Sequence, residues 1–205
     1  MLIFQTQLSL KLTNPDVIRD LQDCNLMHKR VMAMYHHLQA TRTQHHVLWR
    51  VWNGVLLTQA TGRADPTMLP LQYSTADAVE TDCTTQITQI QPQQRYRFVL
   101  YAYPCKRDFH TTKIVPYRTD HERREWLVRQ GVRCGFAVDD TAPLTVAFPT
   151  VVYGQRSRQE IIYDAVYFAG VLVVCDALAV QTACCVGIGR GKANGLGLLT
   201  LHPVE

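Results

Sequence analysis

Polar and apolar residues alternate from Leu2 to Leu12, which predicts an opening β-strand. Thr13-Asn14-Pro15-Asp16 then offers a cap residue, a proline for a first turn and an acid suited to a helix N-terminus. Apolar residues recur at Val17, Leu21, Cys24, Val31 and Leu38, the stripe of one helix or of two broken near Cys24, where Asp23 can cap a second start. Strands are predicted at Val47–Trp52 and Val55–Ala60, joined by the two-residue turn Asn53-Gly54. Residues 62–80 are looser, with Pro66, Pro70 and a short helix near Ala76–Val79, and Thr84–Ile90 alternates like a further strand. The order β-α-β-β-(α)-β is that of a ferredoxin-like domain.

Gln91-Pro92-Gln93-Gln94 reads as a linker, and a similar order follows without sequence repetition. It comprises a strand Tyr96–Tyr103 stopped by Pro104, a polar basic segment, and a helix Asp120–Gln130 ended by Gly131. Strands at Val146–Tyr153 and Ile161–Val174 come next, then a helix Asp176–Val186 and a last apolar run, Leu198–Leu201. The expected fold is therefore α+β, with two tandem ferredoxin-like (RRM-like) domains spanning residues 1–92 and 93–205.

Composition narrows the class. With 205 residues, 47% of them hydrophobic, the chain can bury a substantial core, which excludes wholesale disorder. The net charge of +4 is unevenly placed: residues 1–95 hold 8 Lys/Arg against 7 Asp/Glu, and residues 96–205 hold 13 against 10. That excess permits nucleic-acid binding without requiring it. No apolar run is long enough for a membrane span, and the N-terminus lacks a basic leader. Seven cysteines, an odd number without a C-x-x-C pair, read as thiols of a reducing compartment, so cytoplasm is expected.

Candidate chemistry begins with the glycine-rich loop, where Gly187, Gly189, Gly191, Gly195 and Gly197 surround Arg190 and Lys192. The spacing matches neither the dinucleotide fingerprint nor the nucleoside-triphosphate loop, because Ala193 follows the lysine. The loop is either a polyanion cradle of amides and two cations or a turn into a final buried strand. Gly154-Gln155-Arg156-Ser157-Arg158 forms a basic hairpin tip, suited to an RNA groove or to solvent. Lys106, Arg107, His110 and Lys113 lie in a basic segment that can track a strand of RNA. The pairs His36-His37 and His45-His46 have no cysteine or carboxylate at zinc-like spacing, so no metal or other cofactor is expected.

Several of these pieces together resemble the CasE family, the CRISPR repeat-specific endoribonucleases of type I-E systems and subunits of the Cascade surveillance complex. They are Asn14-Pro15 and Arg19-Asp20-Leu21 ahead of Met27-His28, Tyr96–Leu100 with Ala102-Tyr103-Pro104, Val115-Pro116, Glu125-Trp126-Leu127, Phe168–Leu172, and residues 187–199. The resemblance implies metal-independent cleavage at the base of the repeat hairpin of precursor CRISPR RNA, by 2′-OH attack that leaves a 2′,3′-cyclic phosphate. It also implies that the protein stays bound to its product among the other Cascade subunits and meets target DNA only through the assembled complex, away from any membrane. His28 takes the place of the family's catalytic histidine, with Lys29 and Arg30 next to it to neutralise the scissile phosphate. The family's tyrosine three residues earlier is Asn25 here; an amide can donate to a phosphate oxygen but cannot carry a proton at a useful pKa. Tyr35, seven residues beyond His28, is a candidate substitute. Arg156, Arg158, Arg190, Lys192, Lys106, Arg107 and Lys113 are the expected RNA contacts. Two other readings stay open: an RNA-hairpin binder that does not cut, and a purely structural ribonucleoprotein subunit.

Overall fold

The structure, a computed structural model, describes residues 2–38, 44–147, 150–157 and 159–204. Two compact units are present. The first comprises residues 1–88 together with Val152–Ile162 and Lys192–Gly195; the second comprises Gln89–Val151, Tyr163–Gly191 and Leu196–Glu205. The division is thus not a single cut near residue 92, because the first unit takes two pieces from the later half of the chain.

In the first unit β1 (Phe4–Ser9) leads into α1 (Pro15–Gln22) and α2 (Cys24–Ala33), followed by β2 (Leu48–Trp52), β3 (Val55–Ala60), β4 (Val79–Asp82) and α3 (Thr84–Thr88). The sheet order is β2-β3-β1-β4, with β1 antiparallel to both its neighbours. Numbered along the chain this is 4-1-3-2, the ferredoxin-like order. Leu8 lies opposite Leu56, and these two join Val17, Met27, Val31, Trp49 and Tyr73 in the core.

The helical stripe breaks as its cap residues dictate. The Asn14 side chain accepts from the Asp16 amide to start α1; Asp23 ends α1 and starts α2 by accepting from the Asn25 amide. The face that turns inward is Val17, Asp20, Cys24, Met27 and Val31, while Leu21 stays exposed. The last strand of the order is also misplaced by the sequence pattern. It lies at Val79–Asp82, exposed along its length, so alternation does not mark it. Thr84–Thr88 is a helix, because Asp82 accepts from the Thr84 amide at 2.9 Å and the buried Ile87 and Ile90 are spaced for a helical turn.

The second unit is built around β5 (Arg95–Ala102). A two-stranded ribbon, β6 (Cys105–Arg107) with β7 (Ile114–Pro116), precedes α4 (Asp120–Cys134). Then come β8 (Phe136–Val138), β9 (Thr145–Val146), β10 (Thr150–Arg156), β11 (Gln159–Val174), α5 (Ala177–Val186) and β12 (Leu199–Pro203), although most of β10 and the start of β11 belong to the first unit. The sheet runs β10-β11-β5-β12, and β8 and β9 also pair with β11. Three short strands thus share the second position of another 4-1-3-2 order, where a single strand Val146–Tyr153 was expected. Helix α4 continues through Gly131 to a left-handed cap at Gly135, φ 79°. Gly131 is instead a site of close packing, since a Cβ there would stand 2.6 Å from the Phe136 carbonyl oxygen. Trp126 of α4 stacks on Phe168 of β11 at 6.0 Å, and Leu127, Leu172, Val180 and Cys184 complete that core.

Candidate RNA-processing site

Helix α2 carries His28 and gathers two distant pieces of chain, all within the first unit. Its inner face, Cys24, Met27 and Val31, is buried, which leaves His28 half-buried and Lys29 exposed. The 3₁₀ turn Lys192–Asn194 from the glycine-rich loop packs against α2 and β2. Gly195 makes that approach feasible: its φ of +83° suits glycine, and a Cβ would stand 2.6 Å from the Trp49 ring. Lys192 is thereby delivered to the helix of His28.

The second piece is the hairpin of β10 and β11, tied by its main chain to the N-terminus of α2. The Asp23 carboxylate accepts from the Asn25 amide at 2.8 Å and from the Gln155 amide at 3.2 Å. Asn25 returns the bond, its Nδ2 donating to the Gln155 carbonyl at 3.2 Å. The main chain of residue 155 is thus held at both its N–H and its C=O. Gly154 lies flat against this junction; a Cβ there would meet the Cys24 sulfur at 2.5 Å and Asp23 Oδ1 at 2.9 Å. Burial and the neighbouring Asp23 charge push the Cys24 thiol up to about 11, which keeps it protonated and inert near neutrality. Beyond the clamp Arg156 is exposed and still within β10, so residues 154–156 of the expected five-residue tip are strand. Arg158 lies outside the described residues.

Tyr35 sits elsewhere than its spacing from His28 suggested. Helix α2 ends at Ala33, so Tyr35 lies past the helix, 2% exposed, with its hydroxyl 2.8 Å from Thr58 Oγ1. Burial pushes its phenol up to about 12, and the ring belongs to the core. Arg30 is also committed to the fold. Its Nε donates to Asp20 Oδ2 at 2.6 Å, and its guanidinium lies 5.3 Å over the Tyr73 ring. Tyr73 donates its hydroxyl to the same carboxylate at 3.0 Å, and Asp20 is 2% exposed. Burial works against the Arg30 charge, yet the Asp20 contacts outweigh it and hold its pKa above the ordinary value. Nothing in the sequence spacing signalled this Asp20–Arg30–Tyr73 group or the main-chain hold on Gln155; Asp23 was legible only as a cap.

In the second unit, Lys106, Arg107 and Lys113 are exposed on the β6–β7 ribbon. Gly187, Gly189 and Gly191 belong to this unit with Gly197, and all five loop glycines have φ between 76° and 87°. The Ile188 amide donates to the Gly197 carbonyl at 2.8 Å and the Gly197 amide to Tyr101 at 2.7 Å, so the loop is shaped by its own backbone on the way into buried β12. Arg190 is exposed at its crest. A cleft of about 740 Å³ between α4, α5 and residues 187–190 contains Arg133 and Arg190 but nothing from α2. Among the described residues, no three His, Cys, Asp or Glu side chains converge to hold a metal ion. No described helix is long and apolar enough to cross a membrane.

Comparison with known proteins bears on this arrangement. A family model described as "CRISPR associated protein" matches residues 3–203. The CRISPR-associated endoribonuclease Cse3 of Thermus thermophilus is 32% identical over 123 residues, and that match spans 56% of this chain and 58% of the relative's length. Among solved structures, Cse3 bound to a 19-nucleotide RNA superposes with TM-score 0.85 at 29% identity, covering 98% of this chain and all of that one. Thermus thermophilus Cse3 bound to an RNA representing a pre-cleavage complex gives TM-score 0.85 at 28% identity, over 99% of this chain and 100% of that one. Cas6e of Escherichia coli shares the fold, with TM-score 0.66 at 20% identity over the whole of both chains. A family model that fits almost from end to end, on a fold whose two units repeat one strand order, decides the matter: the chain belongs to the CRISPR-associated protein family.

Proposed function

We propose that this protein is an endoribonuclease that binds the repeat hairpin of a precursor CRISPR RNA and cuts it at its base with His28. The observation that carries the reading is the convergence on α2, where the helix bearing His28 receives both the Lys192 turn and the root of the basic hairpin. The RNA-bound Cse3 structures of the same fold support an RNA substrate. In the proposed reaction the 2′-OH attacks phosphorus in line, its proton leaves, and the bond to the 5′-oxygen breaks as that oxygen gains a proton. The products are a 2′,3′-cyclic phosphate and a 5′-OH. A histidine titrates near neutrality and suits proton transfer at either oxygen. Lys29 and Lys192 supply positive charge for the phosphorane, and Arg156 and Arg158 grip the stem through phosphates. No step calls on a metal ion.

After cleavage the protein stays on its product as a Cascade subunit, meeting target DNA only through that complex. The seven free thiols, four of them buried, suit a cytoplasmic setting. The test is incubation of the purified protein with its cognate repeat RNA in EDTA. Cutting with a 2′,3′-cyclic phosphate end is expected. Binding without cutting would reduce the protein to a holder of RNA, and a Mg²⁺-dependent 5′-phosphate product would replace the mechanism with a metal-assisted one.

A further inference from the structure

The described phenylalanines divide sharply. Phe4, Phe98, Phe136 and Phe168 are buried to 6% exposure or less, whereas Phe109 is 90% exposed. It stands at the tip of the β6–β7 ribbon, and the loop that presents it is firmly built. The Asp108 carboxylate accepts from both the amide and the hydroxyl of Thr111, each at 2.7 Å. The Asp108 amide donates to the Lys113 carbonyl at 2.8 Å, the Thr112 amide donates to the Asp108 carbonyl at 3.0 Å, and the Arg107 guanidinium donates to the Thr112 carbonyl at 3.0 Å. His110, also exposed, meets the Phe109 ring edge-on at 5.5 Å.

The surroundings of this ring are cationic. Residues 105–114 contain Lys106, Arg107 and Lys113 against one acid, Asp108, which is engaged with Thr111. An aromatic ring turned to solvent on a hydrogen-bonded loop, between cations, has the two elements that bind single-stranded nucleic acid: a face for a base and charge for its phosphates. We propose that the ribbon tip is a binding site for an unpaired stretch of RNA, with Phe109 stacked on one base and Arg107 and Lys113 on the adjoining phosphates. The proposal rests on the RNA-binding reading above and extends it from the stem to a flank. A protein docked on the same tip would need complementary acidic groups and is an alternative outcome of the test.

The test uses the full chain with two RNAs, the repeat hairpin alone and the same hairpin with its single-stranded flanks. Phe109→Ala should weaken binding of the flanked RNA about tenfold and leave the bare hairpin within about twofold. Phe109→Trp should keep the affinity, and its added fluorescence should be quenched by flanked RNA but not by a flank of abasic nucleotides. Thermal melts of both variants should match the parent protein, as the ring makes little contact with the core. Equal affinity of Phe109→Ala and the parent for the flanked RNA overturns the proposal and leaves the tip to a protein partner. An equal loss on both RNAs overturns it too, since the effect would not come from an unpaired base. If the parent binds neither RNA, the RNA-binding reading itself fails, a result distinct from either of these, and the present proposal falls with it.

Discussion

At the scale of single residues, the proposed catalytic histidine stands apart from the groups that hold the fold. His28 is half-buried on a helix that both the glycine-rich loop and the hairpin approach. His28→Ala should therefore slow single-turnover cleavage at least ~100-fold at saturating protein, the scale of general acid–base loss, with RNA affinity unchanged within about threefold. Survival of cleavage in that variant would remove His28 from the chemistry. Tyr35 makes the opposite case. A phenol buried beside Thr58, with its pKa pushed up to about 12, has its proton held far above neutrality. Tyr35→Phe should lower stability by about 1 kcal/mol through one lost hydrogen bond and leave the cleavage rate alone. A slowed variant that melts like the parent would return Tyr35 to the mechanism.

Among elements, the junctions matter most. Asp20 joins α1 to α2 and to Tyr73, and Asp20→Ala would leave Arg30 without its main counter-charge. The expected cost is about 3 kcal/mol, read as a drop in denaturant midpoint. The Asp23–Asn25 hold on Gln155 joins α2 to the hairpin. Asn25→Ala should raise the Kd for the repeat hairpin about fivefold, the value of one hydrogen bond, while the rate at saturation stays near the parent's. A rate loss without an affinity loss would mean that Asn25 works at the scissile phosphate. These junctions also mark where the sequence stopped being legible. Capping at Asn14 and Asp23, the Asn53-Gly54 turn and the two long helices of the second half could be read directly, because each is dictated by neighbouring residues. Strand β4 could not, since its exposed residues carry no alternation, nor could the bond across 130 residues from the Asn25 side chain to the Gln155 carbonyl. Arg30 read as a phosphate ligand because its partner Asp20, ten residues away, cannot be found by helical spacing.

For the whole molecule, the twofold strand order was visible in the pattern of elements, although the second strand position of the later unit is broken into three. Its net charge of +4 is too small to bind a polyanion without local concentration, so individual cations should count. Arg156→Ala should lower the salt dependence of RNA binding by about one unit in log K against log salt concentration, and an unchanged slope would turn the hairpin towards solvent. Finally, the composition of the first unit imposes an order of events in synthesis. Its sheet and helices are complete in sequence by residue 88, yet the turn that packs on the histidine helix emerges only at residue 192. At about 5–20 residues per second, roughly 5–20 seconds of translation separate the two. A nascent chain therefore displays its histidine helix for that interval without the lysine turn and, for much of it, without the hairpin. Timing alone thus withholds the proposed site until residues 192–195 have been made, long after the sheet they pack against.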